Sequence, residues 1–161
     1  PGLARRMEPR AATPARRLAV VRQLAEAGIP VRVMVAPVIP ALTDHELEPI
    51  LQAARDAGAV AASWIMLRLP LEVAPLFRDW LAEAEPLRAA KEMARIRESR
   101  GGKDYDAAWG KRMRGEGIWS RLIAQRFDKA CARLGFSDAL PPLRCDLFEV
   151  PLARGDQPSL F

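Results

Sequence analysis

Two short apolar runs, each following a helix-ending glycine and each closed by a proline, constrain this chain more than any other feature. The first, Val31 to Ala36, follows Gly28 and is closed by Pro37; five of its six residues are apolar. The second, Ala61 to Leu69, follows Gly58, is interrupted only by Ser63 and Arg68 among its polar side chains, and is closed by Pro70. Runs of this length and continuity predict strands covered on both faces of a parallel sheet. Pro37 lacks a backbone donor and is expected to stop the first strand, with Pro40 keeping the next residues extended. Loops at the C-terminal ends of parallel strands are where ligands bind in such folds, so function is expected to converge on residues 36–44.

Helical spacing fills the intervals. Residues 1–12 read as polar, basic and irregular. Thr13 caps a helix that Pro14 starts, with Leu18, Val21, Leu24 and Ala25 as its buried side and Gly28 as its stop. Thr43 and Glu46 have capping-box spacing. A turn is expected at 43–47, then a helix from about Glu48 with Pro49 at its first position and Leu47, Ile50, Leu51 and Ala54 on its buried face. The two strands are therefore joined by a helical crossover, which makes them parallel neighbours. Further helices are expected over Val73–Ala84, from Pro86 to about Arg100, and over Trp119–Leu134. Residues 137–161 read as an extended, proline-bearing tail, with Leu147, Phe148 and Val150 as its packing contacts.

Length and composition narrow the class. The 161 residues suffice for one domain with a core, and 50% of them are hydrophobic, which excludes a disordered chain. No apolar run approaches the roughly 20 residues of a membrane helix, so no membrane association is expected. The first residues carry no apolar signal core, so a cytoplasmic location is expected. The chain opens on Pro-Gly rather than Met, as if cut from a longer protein. Cys131 and Cys145 have neither metal-ligand nor redox spacing and read as reduced thiols. The net charge of +5 is uneven: residues 1–85 balance at ten basic and ten acidic, residues 86–134 carry thirteen against six, and residues 135–161 carry two against four. A surplus of seven in one segment points to an anionic partner such as nucleic acid, or to a solvated arginine-rich surface.

Few residues are candidates for chemistry. His45, the single histidine, sits at a helix start where the positive helix end disfavours its cation. No phosphate-binding glycine motif or ligand cluster is present. Arg68 is the notable charge: at the C-terminal end of an apolar strand it needs either an ion pair, with Glu72 or Asp44, or a ligand. Glu8 and Arg10 stand where a preceding strand would end, or in a solvated linker. The stretch Lys111–Gly117, with Trp109 and Trp119 nearby, offers glycines for close phosphate approach and aromatics for stacking. It reads equally as a loop that closes over the sheet.

Three blocks in order, RMEPRAATPARRLAVVRQLAEAGIPVRVMVAPVIPALTD, WIMLRLPLEVAPLFRDWL and RIRESRGGKDYDAAWGKRMRGEGIWSRLIAQRF, resemble the C-terminal half of radical S-adenosylmethionine (radical SAM) proteins, in the bacterial group related to spore photoproduct lyase. The resemblance covers about residues 3–135. It implies a partial (β/α)6 TIM-type barrel whose fifth and sixth strands are residues 31–36 and 61–69. It implies cofactor contacts at Glu8, near the end of the fourth strand, at Pro37 and at Arg68. The family reductively cleaves S-adenosylmethionine at a [4Fe–4S] cluster to an adenosyl radical that abstracts hydrogen. The CxxxCxxC cluster loop of the family is absent from this chain, and two cysteines cannot replace its three thiolates. Where the family usually has glycine, this chain has Ala41.

These readings combine into an α/β chain: residues 1–85 as the last units of a radical SAM barrel (two parallel strands with flanking helices), 86–136 as a basic helical extension, and 137–161 as a tail. The parent is expected to be a radical SAM enzyme, its missing N-terminal barrel half supplying the cluster; its substrate is unassigned, with nucleic acid as one candidate. This chain alone is expected to bind neither cofactor and to be inactive. The alternative is a non-enzymatic nucleic-acid-binding module that uses residues 86–134.

Overall fold

The computed structural model describes residues 2–142, 145–151 and 155. In chain order it contains α1 (Gly2–Met7), α2 (Pro14–Glu26), β1 (Arg32–Val38), a 3-10 turn (Asp44–Glu46), α3 (Leu47–Asp56), β2 (Ala61–Met66), α4 (Val73–Ala84), α5 (Ala89–Glu98), α6 (Gly117–Leu134) and a second 3-10 turn (Cys145–Leu147). β1 and β2 pair in parallel, with Arg32 opposite Ala61 and Val35 opposite Trp64. The chain is thus a mixed α/β unit built on a two-stranded parallel sheet, as the two apolar runs predicted.

The core has two parts. On one face of the sheet, Val35, Trp64 and Met66 pack against Leu47 and Leu51 of α3 and Phe127 of α6. Each such side chain contributes about 1.5–3 kcal/mol on burial. Beyond the strand ends, Ile39, Leu67 and Leu69 pack with Phe77 and Leu81 of α4 and Ile96 of α5. Leu3 and Met7 of α1 lie against this second cluster, and the Arg6 guanidinium donates to Ala84 O and to Glu85 Oε1.

Several expectations are corrected. Residues 2–7 form a helix rather than irregular chain. No residue of α2 is fully buried; Leu18, Val21 and Ala25 of the expected side are half-buried, and Ala25 lies against the turn at Gly58, where a Cβ on that glycine would stand 2.6 Å from Ala25 Cβ. β1 is covered on one face only; Arg32, Met34 and Ala36 are exposed on the other, Met34 at 57%. The strand runs through Pro37 to Val38, across a cis Ala36–Pro37 bond and a register irregularity between Val35 and Val38. Pro40 occupies a turn closed by Leu42 N–H donating to Ile39 O at 3.1 Å, instead of extended chain. Thr43 does not cap α3. Its Oγ1 accepts from Ile39 N–H at 2.9 Å while its own N–H donates to Ile39 O, which closes the loop after β1 upon itself. Helix α3 starts at Leu47, which puts Pro49 third rather than first, still within the turn where no amide bond is lost. β2 ends at Met66, short of Leu69. Leu147, Phe148 and Val150 are exposed rather than packed; residues 143–144, 152–154 and 156–161 of the expected tail lie outside the described residues.

Candidate functional site at the strand ends

The C-terminal ends of β1 and β2 are held side by side, with Leu67 N–H donating to Val38 O at 2.9 Å. Arg68 follows at once. It is half-buried, and neither carboxylate expected for it is its partner. Its guanidinium donates to Tyr105 Oη at 3.2 Å and lies 5.9 Å from that ring's centroid; its other contact is the Met113 thioether at 3.8 Å. A thioether is a weak acceptor. Arg68 Nε is buried and makes no hydrogen bond. Asp44 serves a different arginine: Arg126 of α6 pairs with Asp44 at 3.1 Å and with Glu48 at 2.7 Å. The Arg126 hydrogen bond holds the Glu48 carboxyl below its ordinary range, against the upward push of burial.

Behind Arg68 lies Arg100, a residue sequence reasoning passed over. It is 1% exposed. Its guanidinium donates to Leu67 O at 2.6 Å, to Lys111 O at 2.9 Å and to Arg112 O at 3.1 Å, leaving Nε without a partner. Burial lowers its pKa, Tyr105 and Asp106 oppose this, and the nearby Arg68 charge reinforces it. An available signal was its spacing: Met93, Ile96 and Arg100 recur at i, i+3 and i+7, so the cation continues the buried stripe of α5.

Arg100 explains the basic loop. Met66 N–H donates to Met113 O at 2.9 Å, Ser120 Oγ donates to Arg114 O, and the Arg114 guanidinium stacks 4.4 Å from the Trp64 ring centroid. Gly115 adopts φ 74 against Ser99 O, which a Cβ would approach to 2.8 Å. The loop closes over the end of β2, the second of its two expected uses. Much of the segment's charge is engaged internally: Arg97 pairs with Asp104, Lys111 with Glu116 and Arg88 with Glu92, while Arg95 stacks on Trp119. Trp109, 85% exposed and stacked with Arg112 at 4.4 Å, is the aromatic left facing solvent in that loop.

The remaining candidates are dispersed. Pro37 is exposed at the end of β1. Glu8 is exposed, pairs with Arg17 at 3.5 Å and follows α1, a helix rather than a strand. Arg10 and His45 are exposed. Ala41, in the loop after β1, adopts φ 66, a backbone conformation natural to glycine, and its carbonyl accepts from Arg88. Away from the strand ends, a depression of about 480 Å³ lies along β2, lined by Ser63, Arg114, Asp128 and Cys131 among others. Burial raises the Cys131 thiol, so it stays protonated.

Fold and site together define an α/β unit in which the paired C-terminal ends of two parallel strands are closed from behind by an arginine-tied loop. Among known proteins, no family model matches the chain and no solved structure does. Over 88 residues it is 39% identical to uncharacterized proteins of Mycobacterium tuberculosis and Mycobacterium bovis. That match takes in 53% of this chain and 26% of each relative, so the chain spans about a quarter of the length of the curated relatives it matches. No helix among the described residues is long and apolar enough to cross a membrane.

Proposed function

We propose that this chain is the C-terminal wall of a partial (β/α)6 barrel in a radical SAM enzyme of the spore photoproduct lyase-related group, with β1 and β2 as its fifth and sixth strands. The observation that carries the reading is a parallel strand pair packed with helices on one side and open on the other. In a barrel, the Arg32–Met34–Ala36 face of β1 would look inward and its free edge would meet the fourth strand. The left-handed backbone at Ala41, where the family usually has glycine, supports the same alignment.

The iron–sulfur cluster does not fit this chain. Cys131 is half-buried on α6, where burial pushes its thiol up, and Cys145 is exposed; two thiols fall short of the three that a cluster needs. No group of His, Cys, Asp or Glu among the described residues is arranged to hold a metal. The reading therefore assigns the cluster and its thiolates to another part of the parent, and gives this chain no redox step. Its own contribution is spatial: Pro37 and Arg68 flank the S-adenosylmethionine pocket, and the 101–117 loop covers it against water. Glu8 belongs to this set only if residues 2–7 rearrange beside the missing half, because α1 now occupies the place of a strand end.

The test is anaerobic reconstitution of the protein encoded by the full reading frame, followed by assay for 5′-deoxyadenosine. Product formation that requires a CxxxCxxC motif, and that falls when Arg68 is replaced by alanine, supports the reading. A full reading frame without that motif, or with no S-adenosylmethionine cleavage, contradicts it.

The exposed Trp109–Arg112 stack favours a second reading, a nucleic-acid contact through residues 86–134. Salt-titrated binding to single-stranded and duplex DNA separates the two, since phosphate contacts give a steep salt dependence. No affinity at low salt removes the second reading.

A further inference from the structure

We infer that Arg68, backed by Arg100, forms an oxyanion-binding site at the C-terminal end of β2, for a phosphate or carboxylate group of the ligand seated there. Arg100 donates to the carbonyl of Leu67, the residue before Arg68, and to those of Lys111 and Arg112, beside Arg68's partner Met113, and neither guanidinium has a carboxylate within ion-pair distance among the described residues. Two acids of the adjoining loop are otherwise engaged. Asp104 pairs with Arg97 and Arg78, and Asp106 Oδ1 accepts from Ala108 N–H. Arg100 is neutralised only by the dipoles of three carbonyls. Arg68 has a tyrosine hydroxyl and a thioether rather than a carboxylate.

Buried cations are costly unless paired, and each of these retains a buried Nε–H with no acceptor. An oxyanion on the half-exposed Arg68 would supply the countercharge that the pair lacks. The guanidinium fork matches phosphate and carboxylate oxygens two at a time, and an anion displacing the weak Met113 sulfur would leave the Tyr105 hydrogen bond in place. Arg100 is the fixed member, locked by its carbonyls, and Arg68 is the half-exposed member that meets the ligand.

The inference rests on the reading that ligands seat at the strand ends, not on radical chemistry. The arginine Nε–Hε resonances of the 161-residue chain would be titrated with inorganic phosphate and, separately, with acetate at low ionic strength. Saturable shifts centred on Arg68 and Arg100 are expected, and Arg68→Gln should weaken binding about tenfold or more while Arg22→Gln, exposed on α2, leaves it unchanged. Tighter phosphate binding identifies a phosphate-bearing ligand; equal or tighter acetate binding identifies a carboxylate. If Arg68→Gln does not fold, Arg68→Lys keeps the charge, gives up the fork, and should still bind several-fold more weakly. No saturable shift with either anion, or unchanged affinity in the variant that folds, overturns the inference. These titrations can succeed while the full-length protein fails to cleave S-adenosylmethionine, and the reverse, so the two proposals fail separately.

Discussion

The two ends of this sheet are finished to different degrees. At the C-terminal end of β2, a buried guanidinium gathers three carbonyls, a glycine fits against Ser99 O, and helices α4, α5 and α6 leave Leu81, Ile96 and Ile123 almost wholly covered. On the flank of α2 and β1, a helix of 13 residues fully buries none of them and a strand leaves Arg32, Met34 and Ala36 exposed. The difference teaches where the information for folding sits. One region is covered by packing partners in the same chain; the other leaves its apolar pattern only partly covered by the described residues.

Breaking the finished end should have the largest effect. Arg100→Met leaves Leu67, Lys111 and Arg112 carbonyls without their shared donor and should cost about 3 kcal/mol or more, read as a lowered urea midpoint. The same contrast appears within leucines. Leu51→Ala, in the core beneath β1, should cost about 2–5 kcal/mol, whereas Leu24→Ala on α2 should cost less than about 1 kcal/mol. Equal costs would mean that α2 is packed after all.

Glycines sharpen the comparison at smaller scale. Gly115→Ala combines a left-handed backbone with a 2.8 Å approach to Ser99 O, and should cost about 2 kcal/mol or more. Gly102→Ala has the same backbone demand at φ 86 but open space around it, and should cost about 1 kcal/mol. Thermal melts of the two variants give the difference directly.

The strands, their direction, and helices α4 and α6 were legible because each is an apolar pattern bounded by glycine or proline. The exposed face of β1 was not: five apolar residues in six read the same whether or not a neighbour is present to cover them. Arg68 was recognised as anomalous, but its surroundings come from Tyr105 and Met113, more than 30 residues away in sequence, where local spacing gives no guidance. Arg100 was hidden among the many arginines of its segment, although its helical phase marked it. Thr43 misled because the same hydroxyl can cap a helix or close the preceding loop, and the loop won.

Glu92 gives the smallest expected effect and sets its sign. Burial holds its carboxyl above the ordinary range, with Arg88 opposing. A folded-state pKa raised above the unfolded one means that the ionised carboxylate costs stability at neutral pH, and that this cost fades as pH falls through the folded pKa. Glu92→Gln should therefore stabilise the chain by less than about 1 kcal/mol at pH 7, with the gain vanishing below the ordinary carboxylate pKa of about 4.3. Glu48, its pKa lowered by Arg126, runs the other way: its contribution is present at neutral pH and is lost in acid.

Hydrogen exchange resolved to single amides tests the contrast most directly. The Met66 and Leu67 amides, bonded to Met113 O and Val38 O, should be protected about a hundredfold or more beyond the amides of α2. Protection of α2 equal to that of Met66 and Leu67 would contradict the account, because α2 would then be held as firmly as the end of β2.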